Sequence, residues 1–251
     1  MSAPIHIFVD LDDTLFRSRR RAESPPGRRA ALGRLVARKA DGTPYSYMSP
    51  QSERFFDWLR TADRVIPNTA RTTEALRRVD LPFVDYRICS LGGVILDPAG
   101  TVDTDWDEEV ARRLDQLSVE PSELAERLAP LAAEYELRLR VVGDVGRDLH
   151  LSARDPARDP RRLAAFVGKA QTEVPAGWRL RPTAHDAAFY PTSLGKAEAQ
   201  RWLSAHRLEP AGLTIGVGDR MDDADFMSLC DYVIAPPSSD IWATVRGELD
   251  S

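Results

Sequence analysis

Two cysteines in 251 residues, Cys89 and Cys230, exclude a disulfide framework, and four scattered histidines do not complete a zinc site. Both cysteines read as small buried residues without chemistry. No apolar run approaches the ~20 residues that a membrane helix needs. The opening Met1-Ser-Ala-Pro-Ile-His6 has neither the basic start nor the apolar stretch of a signal peptide, so the expected location is the cytoplasm. A net charge of −5 removes the overall basic field that would hold nucleic acid or an anionic membrane. What remains is ordinary globular material, 43% hydrophobic and 29% charged, long enough for one sizeable core or a core with a smaller insert.

The texture of the chain changes twice. Ile5–Val9 is an apolar, β-branched run that ends directly in Asp10, as a buried parallel strand would. Residues 17–30 are rich in arginine with no apolar period and read as an exposed loop. Gln51–Leu59 has helical spacing, with Ser49-Pro50 as cap and first helical residue. Arg64–Asn68 reads as a second strand, Thr72–Val79 as a helix, and Arg87–Leu91 with Val94–Leu96 as a third strand region broken at Gly92-Gly93. From about Thr104, helical stretches near 107–117 and 121–136 lead into Glu136–Val142 and Asp148–Ser152, which alternate strictly about a Gly143–Gly146 turn. A helix near 160–172 and short strands at Trp178–Arg181 and Ala187–Tyr190 follow. Strict alternation implies a sheet with one wet face, unlike the buried first strand. The first texture returns with a helix over Lys196–His206 and strands at Leu213–Val217 and Tyr232–Ala235. The expected fold is therefore α/β: a doubly wound, Rossmann-like parallel-sheet core (1–103 and 187–251) interrupted once by an α+β unit (104–186).

Four places carry chemistry, each at the expected C-terminal end of a core strand or on the helix facing it. Asp10-Leu-Asp12-Asp13-Thr14 sets two carboxylates two residues apart, able to point to one side as the strand ends. Such a pair repels unless a cation lies between, and magnesium with oxygen ligands fits; an Asp-rich helix cap is the plainer alternative. Asn68-Thr69-Ala70-Arg71 offers a hydroxyl, backbone N–H groups and a guanidinium for phosphate oxygens, or simply a Thr cap. Lys196, after Gly195, opens a helix where its charge opposes the dipole, which a bound anion would justify and a solvated surface site would also allow. Gly216-Val-Gly218-Asp219-Arg-Met-Asp222-Asp223 ends a buried strand in three acids, as a second wall of a metal site or as an acidic loop.

Taken in order, these four motifs resemble those of the haloacid-dehalogenase superfamily of phosphatases, and the resemblance spans nearly the whole chain. It implies that Asp10 is the nucleophile forming an aspartyl-phosphate, and Asp12 the general acid and base. Thr69 would bind the transferring phosphoryl group, with Arg71 beside it, and Lys196 would neutralise it. Asp219 would hold Mg2+ with Asp10 and the backbone carbonyl of Asp12, and Asp223 would stand near the metal. Asp222 occupies a position where many relatives carry Asn, and Gly92-Gly93 one where they often read Asn-Gly.

The insert between Thr69 and Lys196 resembles the large α+β cap of the sucrose-phosphate-phosphatase-like, mannosyl-phosphoglycerate-phosphatase-like and Cof-type members, which close over the site and choose the leaving group. Arg138, Arg140, Arg147, His150, Arg179 and His185 are the insert's residues able to meet an anionic or hydroxyl-rich substrate. The expectation is Mg2+-dependent hydrolysis of a small phosphorylated metabolite, a sugar phosphate or similar, without a nucleic-acid or membrane partner. A phosphomutase uses the same acid pair and is a close rival. A polynucleotide end phosphatase would employ the Arg17–Arg29 run, but that run has no interleaved aromatics for stacking. A signalling receiver domain is smaller and would place its acceptor Asp on a later strand. Oligomeric state is not legible.

Overall fold

A computed structural model describes residues 3–23, 33–183 and 186–249. Two compact units emerge, one built from residues 1–103 with 196–251 and the other from 104–195.

The first unit is organised on a parallel sheet of β1 (Ile5–Val9), β5 (Arg64–Pro67), β12 (Leu213–Val217) and β13 (Tyr232–Ile234), in the order β13-β12-β1-β5. β1 lies between β5 and β12, with Ile7 beside both Val65 and Ile215. Ile7, Phe8, Val9 and Ile66 are buried, as expected for a strand covered on both faces. Helix α2 (Pro50–Leu59) starts at Ser49, whose hydroxyl accepts from the Ser52 N–H, with Pro50 in the first turn. Thr72 caps α3 (Thr73–Arg77) in the same way. β6 (Arg87–Cys89) and β7 (Val94–Leu96) pair antiparallel across a 3-10 turn at Ser90–Gly92, and Ile88 bridges in parallel to Asn68. Helices α7 (Lys196–His206), α8 (Met221–Met227) and α9 (Asp240–Leu249) complete this unit.

The segment read as an exposed arginine loop is more ordered than its composition implies. β2 (Arg17–Ser18) leads into α1 (Arg19–Glu23), while residues 24–30 of that segment lie outside the described residues. β2 pairs with β4 (Pro44–Met48), which pairs in turn with β3 (Arg34–Arg38), giving a three-stranded antiparallel sheet. These strands are two to five residues long, too short to leave a clear alternation, and their order comes from pairing across the chain.

In the second unit α4 (Thr104–Leu114), α5 (Pro121–Glu134) and α6 (Pro160–Ala170) accompany an antiparallel sheet of order β10-β11-β9-β8. The hairpin is β8 (Arg138–Asp144) with β9 (Arg147–Arg154), followed by β10 (Trp178–Pro182) and β11 (Asp186–Pro191). Leu151, Ala153, Phe189 and Ala187 pack with Leu124, Leu128 and Phe166 of α5 and α6 into this unit's own core. The chain returns to the first unit at Lys196 and not at 187, because β11 is hydrogen-bonded on both sides within this sheet.

Candidate active site

Asp10 sits one residue past the end of β1. Its N–H donates to the Val217 carbonyl, and the Asn68 N–H donates to Val9, so the ladder continues just far enough to hold the side chain at the sheet's C-terminal edge. Asp10 is only 5% exposed. Lys196, in the first turn of α7, reaches it: Nζ donates to Asp10 Oδ1 at 2.6 Å and to Asp223 Oδ1 at 2.7 Å. Two buried carboxylates thus explain a lysine at the wrong end of a helix dipole. The Lys196 carbonyl accepts from Asn68 Nδ2 at 3.2 Å, which ties α7 to the end of β5.

The second wall is set by close packing of α8 on β12. A Cβ on Gly218 would lie 2.6 Å from Asp223 Cβ and 2.8 Å from Met227 Sδ, so only glycine lets the helix approach. Asp223, in the first turn of α8, accepts the N–H groups of Asp219 and Arg220 on Oδ2, both at 3.1 Å. Its other oxygen is the one held by Lys196. Asp219 stands beside it, and ligand oxygens of Asp10, Asp219 and Asp223 all lie within 4.8 Å of one another. Thr14 joins them, its hydroxyl 3.0 Å from Asp219 Oδ1 and 3.2 Å from Asp10 Oδ2.

Three acids so close cannot all ionise at ordinary cost. Burial, with Asp223 adding to it and Lys196 opposing it, raises the Asp10 pKa to about 7. Burial and the charges of Asp10 and Asp223 raise Asp219 to about 8. Burial works against the Lys196 ammonium, yet Asp10 and Asp223 outweigh it and hold its pKa above the usual lysine value. A cluster of hard oxygen donors carrying surplus negative charge is the donor set that suits a magnesium ion, so the residues fit that cofactor.

Asp12 lies outside this triad. Arg71 grips both its oxygens, Nε to Oδ2 at 2.5 Å and Nη2 to Oδ1 at 2.7 Å. The guanidinium stacks over Phe16 at 5.1 Å and approaches the buried Ser46 hydroxyl of β4 at 3.4 Å. Arg71, expected to face phosphate, therefore holds a carboxylate here. Thr69 is buried next to it, its hydroxyl accepting from the Arg71 N–H at 3.1 Å. Ser90 and Leu91, both at positive φ, brace the loop by donating their N–H groups to the Arg71 and Thr69 carbonyls. Asp222 is half-buried in α8 and does not join the triad.

Thr14, Ser46 and Asn68 were not assigned a role from the sequence. Thr14 stood inside the first motif, and its two carboxylate partners, one of them 205 positions away, appear only on folding. Ser46 carried no signal. Of the insert's candidate residues, Arg147 is paired with Asp107 in its own unit, and His185 lies outside the described residues.

No family model matches the chain, nor does any curated protein sequence. Solved structures do match. The sucrose-phosphatase of Synechocystis, solved with sucrose and phosphate, is 16% identical with a TM-score of 0.58, over 100% of this chain and 90% of that one. The C-terminal domain of the C. albicans trehalose-6-phosphate phosphatase gives 15% and 0.57, over 90% and 73%. A haloacid dehalogenase-like hydrolase from Bacteroides thetaiotaomicron gives 11% and 0.54, over 99% and 100%. The chain has the fold of the haloacid-dehalogenase-like hydrolases.

Proposed function

We propose that this protein is a haloacid-dehalogenase-type phosphatase that hydrolyses a phosphate monoester of a small polar metabolite, such as a sugar phosphate, through a phosphorylated Asp10. The observation that carries the reading is the buried Asp10–Lys196–Asp223 chain of charge beside Asp219. A carboxylate held by an ammonium, at the C-terminal edge of a parallel sheet, is a nucleophile next to ready charge neutralisation for an incoming phosphate.

In the proposed reaction an Asp10 oxygen attacks phosphorus, the ester P–O bond breaks, and Asp12 gives its proton to the leaving oxygen. Water then attacks the phosphorus of the acyl phosphate, Asp12 takes the proton, and inorganic phosphate departs from a restored Asp10. Thr69 and Lys196 hold the phosphoryl oxygens during both steps. Asp10 and Asp219 would hold Mg2+ with the Asp12 backbone carbonyl, and Asp223 fixes Lys196 and the Asp219 loop. Bound there, magnesium supplies charge that draws substrate phosphate in and offsets the negative charge of the acids. Arg71 must release one Asp12 oxygen before that residue can deliver a proton, and an arriving anion is a natural competitor for the guanidinium. The inserted unit is the part that selects the leaving group.

The test is release of free phosphate from an aryl phosphate, with and without Mg2+, by wild type and Asp10→Asn. Magnesium-dependent release that the substitution abolishes supports the reading. In a parallel incubation with a sugar phosphate, isomerisation without release of free phosphate would point to a mutase instead.

A further inference from the structure

Asn68 is fully buried just past the end of β5, and it places a side-chain amide in the core of the first unit. Its backbone is already engaged: the N–H donates to the Val9 carbonyl, and the residue bridges in parallel to Ile88. Among the described residues the side chain makes one hydrogen bond, from Nδ2 to the Lys196 carbonyl at 3.2 Å, while Oδ1 has no partner. A carbonyl only accepts, so the nitrogen of the amide has to face Lys196 and the orphaned oxygen points elsewhere.

For stability alone an amide is a poor choice here. A buried acceptor without a partner destabilises the folded chain, and one long hydrogen bond offsets that only in part. Leucine has the same branched outline and would leave no acceptor unpaired. What the amide holds is the first residue of α7. The carbonyl it grips belongs to Lys196, whose ammonium reaches Asp10 and Asp223 from the same residue. Thr69, next in the chain, is placed by its own N–H, which donates to the Ile88 carbonyl. One strand end thus sets two phosphate-facing side chains, Thr69 directly and Lys196 through Asn68. Gln200, one turn along α7, supplies a contrast. It too is buried with an unpaired Oε1, but its Nε2 donates to the Phe226 carbonyl of α8 and touches nothing of Lys196.

We infer that Asn68 is a positioning residue: it holds the backbone of Lys196 so that Nζ stays aligned with the Asp10 carboxylate while phosphorus is transferred. The inference rests on the phosphatase reading above and adds to it a residue that touches neither substrate nor nucleophile. A small shift at the start of α7 would weaken the ammonium's hold on the phosphoryl oxygens most where their charge is greatest, in the transition state.

The experiment compares Asn68→Leu and Gln200→Leu with wild type on an aryl phosphate in the presence of Mg2+. In Asn68→Leu kcat should fall by roughly tenfold or more, the cost of a misplaced group, with KM changed by less than about threefold. Affinity for orthovanadate, which mimics five-coordinate phosphorus, should weaken by the same factor as kcat. Gln200→Leu should keep the wild-type kcat and vanadate affinity. Rates are taken per folded enzyme, from circular dichroism at the assay temperature. Asn68→Ala, which cannot overpack the site, takes the place of Asn68→Leu if the latter does not fold. A kcat near wild type in the Asn68 variant, a loss confined to KM, an unchanged vanadate affinity or an equal loss in Gln200→Leu overturns the inference while wild type still releases phosphate. If wild type releases none, the phosphatase reading itself falls and this one with it.

Discussion

Lys196 is the residue on which the site's electrostatics turn. Its ammonium is shared between two buried carboxylates, and removing it leaves both uncompensated. Lys196→Met should therefore lower the unfolding free energy of the metal-free protein by on the order of 3–5 kcal/mol, read by urea titration. A loss below about 1 kcal/mol would mean that the pair is solvated as a surface pair is.

The raised pKa values of Asp10, about 7, and Asp219, about 8, set a second expectation. The folded metal-free protein keeps these protons at a pH where the unfolded chain has lost them, so their contribution to stability declines as pH rises through that window. A cation must displace the same protons. The thermal upshift at a fixed Mg2+ concentration should thus be larger near pH 8 than near pH 6, and equal upshifts would contradict the assignment of these acids as ligands. Asp10, Lys196, Asp219 and Asp223 were legible in the sequence because each sits at a strand end or helix start that the local pattern marks. The partners Asn68, Thr14 and Ser46 were not, since hydrogen bonds across 128, 205 and 25 positions leave no trace in local spacing.

At the scale of elements, the approach of α8 to β12 is what aims Asp223 at Lys196. Gly218→Ala would force a Cβ against Asp223 and Met227, an overpacking worth about 1–3 kcal/mol, and would push Asp223 off its partner. Magnesium affinity and stability should fall together, measured by calorimetry and thermal melting. Gly168→Ala, inside α6 with nothing near the added carbon, should instead stabilise by up to about 1 kcal/mol. A harmless Gly218→Ala would show that the close approach is not required. Elements with a clear local pattern, the continuous apolar run of β1 and the periodicity of α2 and the β8–β9 hairpin, were readable in advance. The β2–β4–β3 sheet was not: Arg17 and Ser18 form a strand only because Tyr47 and Ser46 lie opposite, and through Ser46 that sheet reaches Arg71.

The whole molecule divides into two compact units, and near the first join, at Thr104, the sequence changes from continuous apolar strands to strict alternation. Their second boundary was misplaced because β11 lies in the interior of its sheet and is nearly as buried as a strand of the parallel core. The inserted unit carries its own hydrophobic cluster, with the Trp178 indole N–H donating to the Val119 carbonyl. A fragment spanning 104–195 should therefore fold alone and melt cooperatively with buried tryptophan fluorescence; an unfolded fragment would show that its core depends on the rest of the chain.

The central claim is covalent, that phosphorus is transferred to Asp10. Its most direct test is to mix Asp12→Ala with an aryl phosphate of a good leaving group and Mg2+, quench in acid and map the peptides by mass spectrometry. With the acid and base removed, the leaving group departs unaided while hydrolysis of the intermediate stalls. The predicted result is one phosphoryl group, labile to hydroxylamine, on the peptide containing Asp10. An unlabelled Asp10 peptide, together with undiminished turnover by Asp10→Asn, would contradict the account.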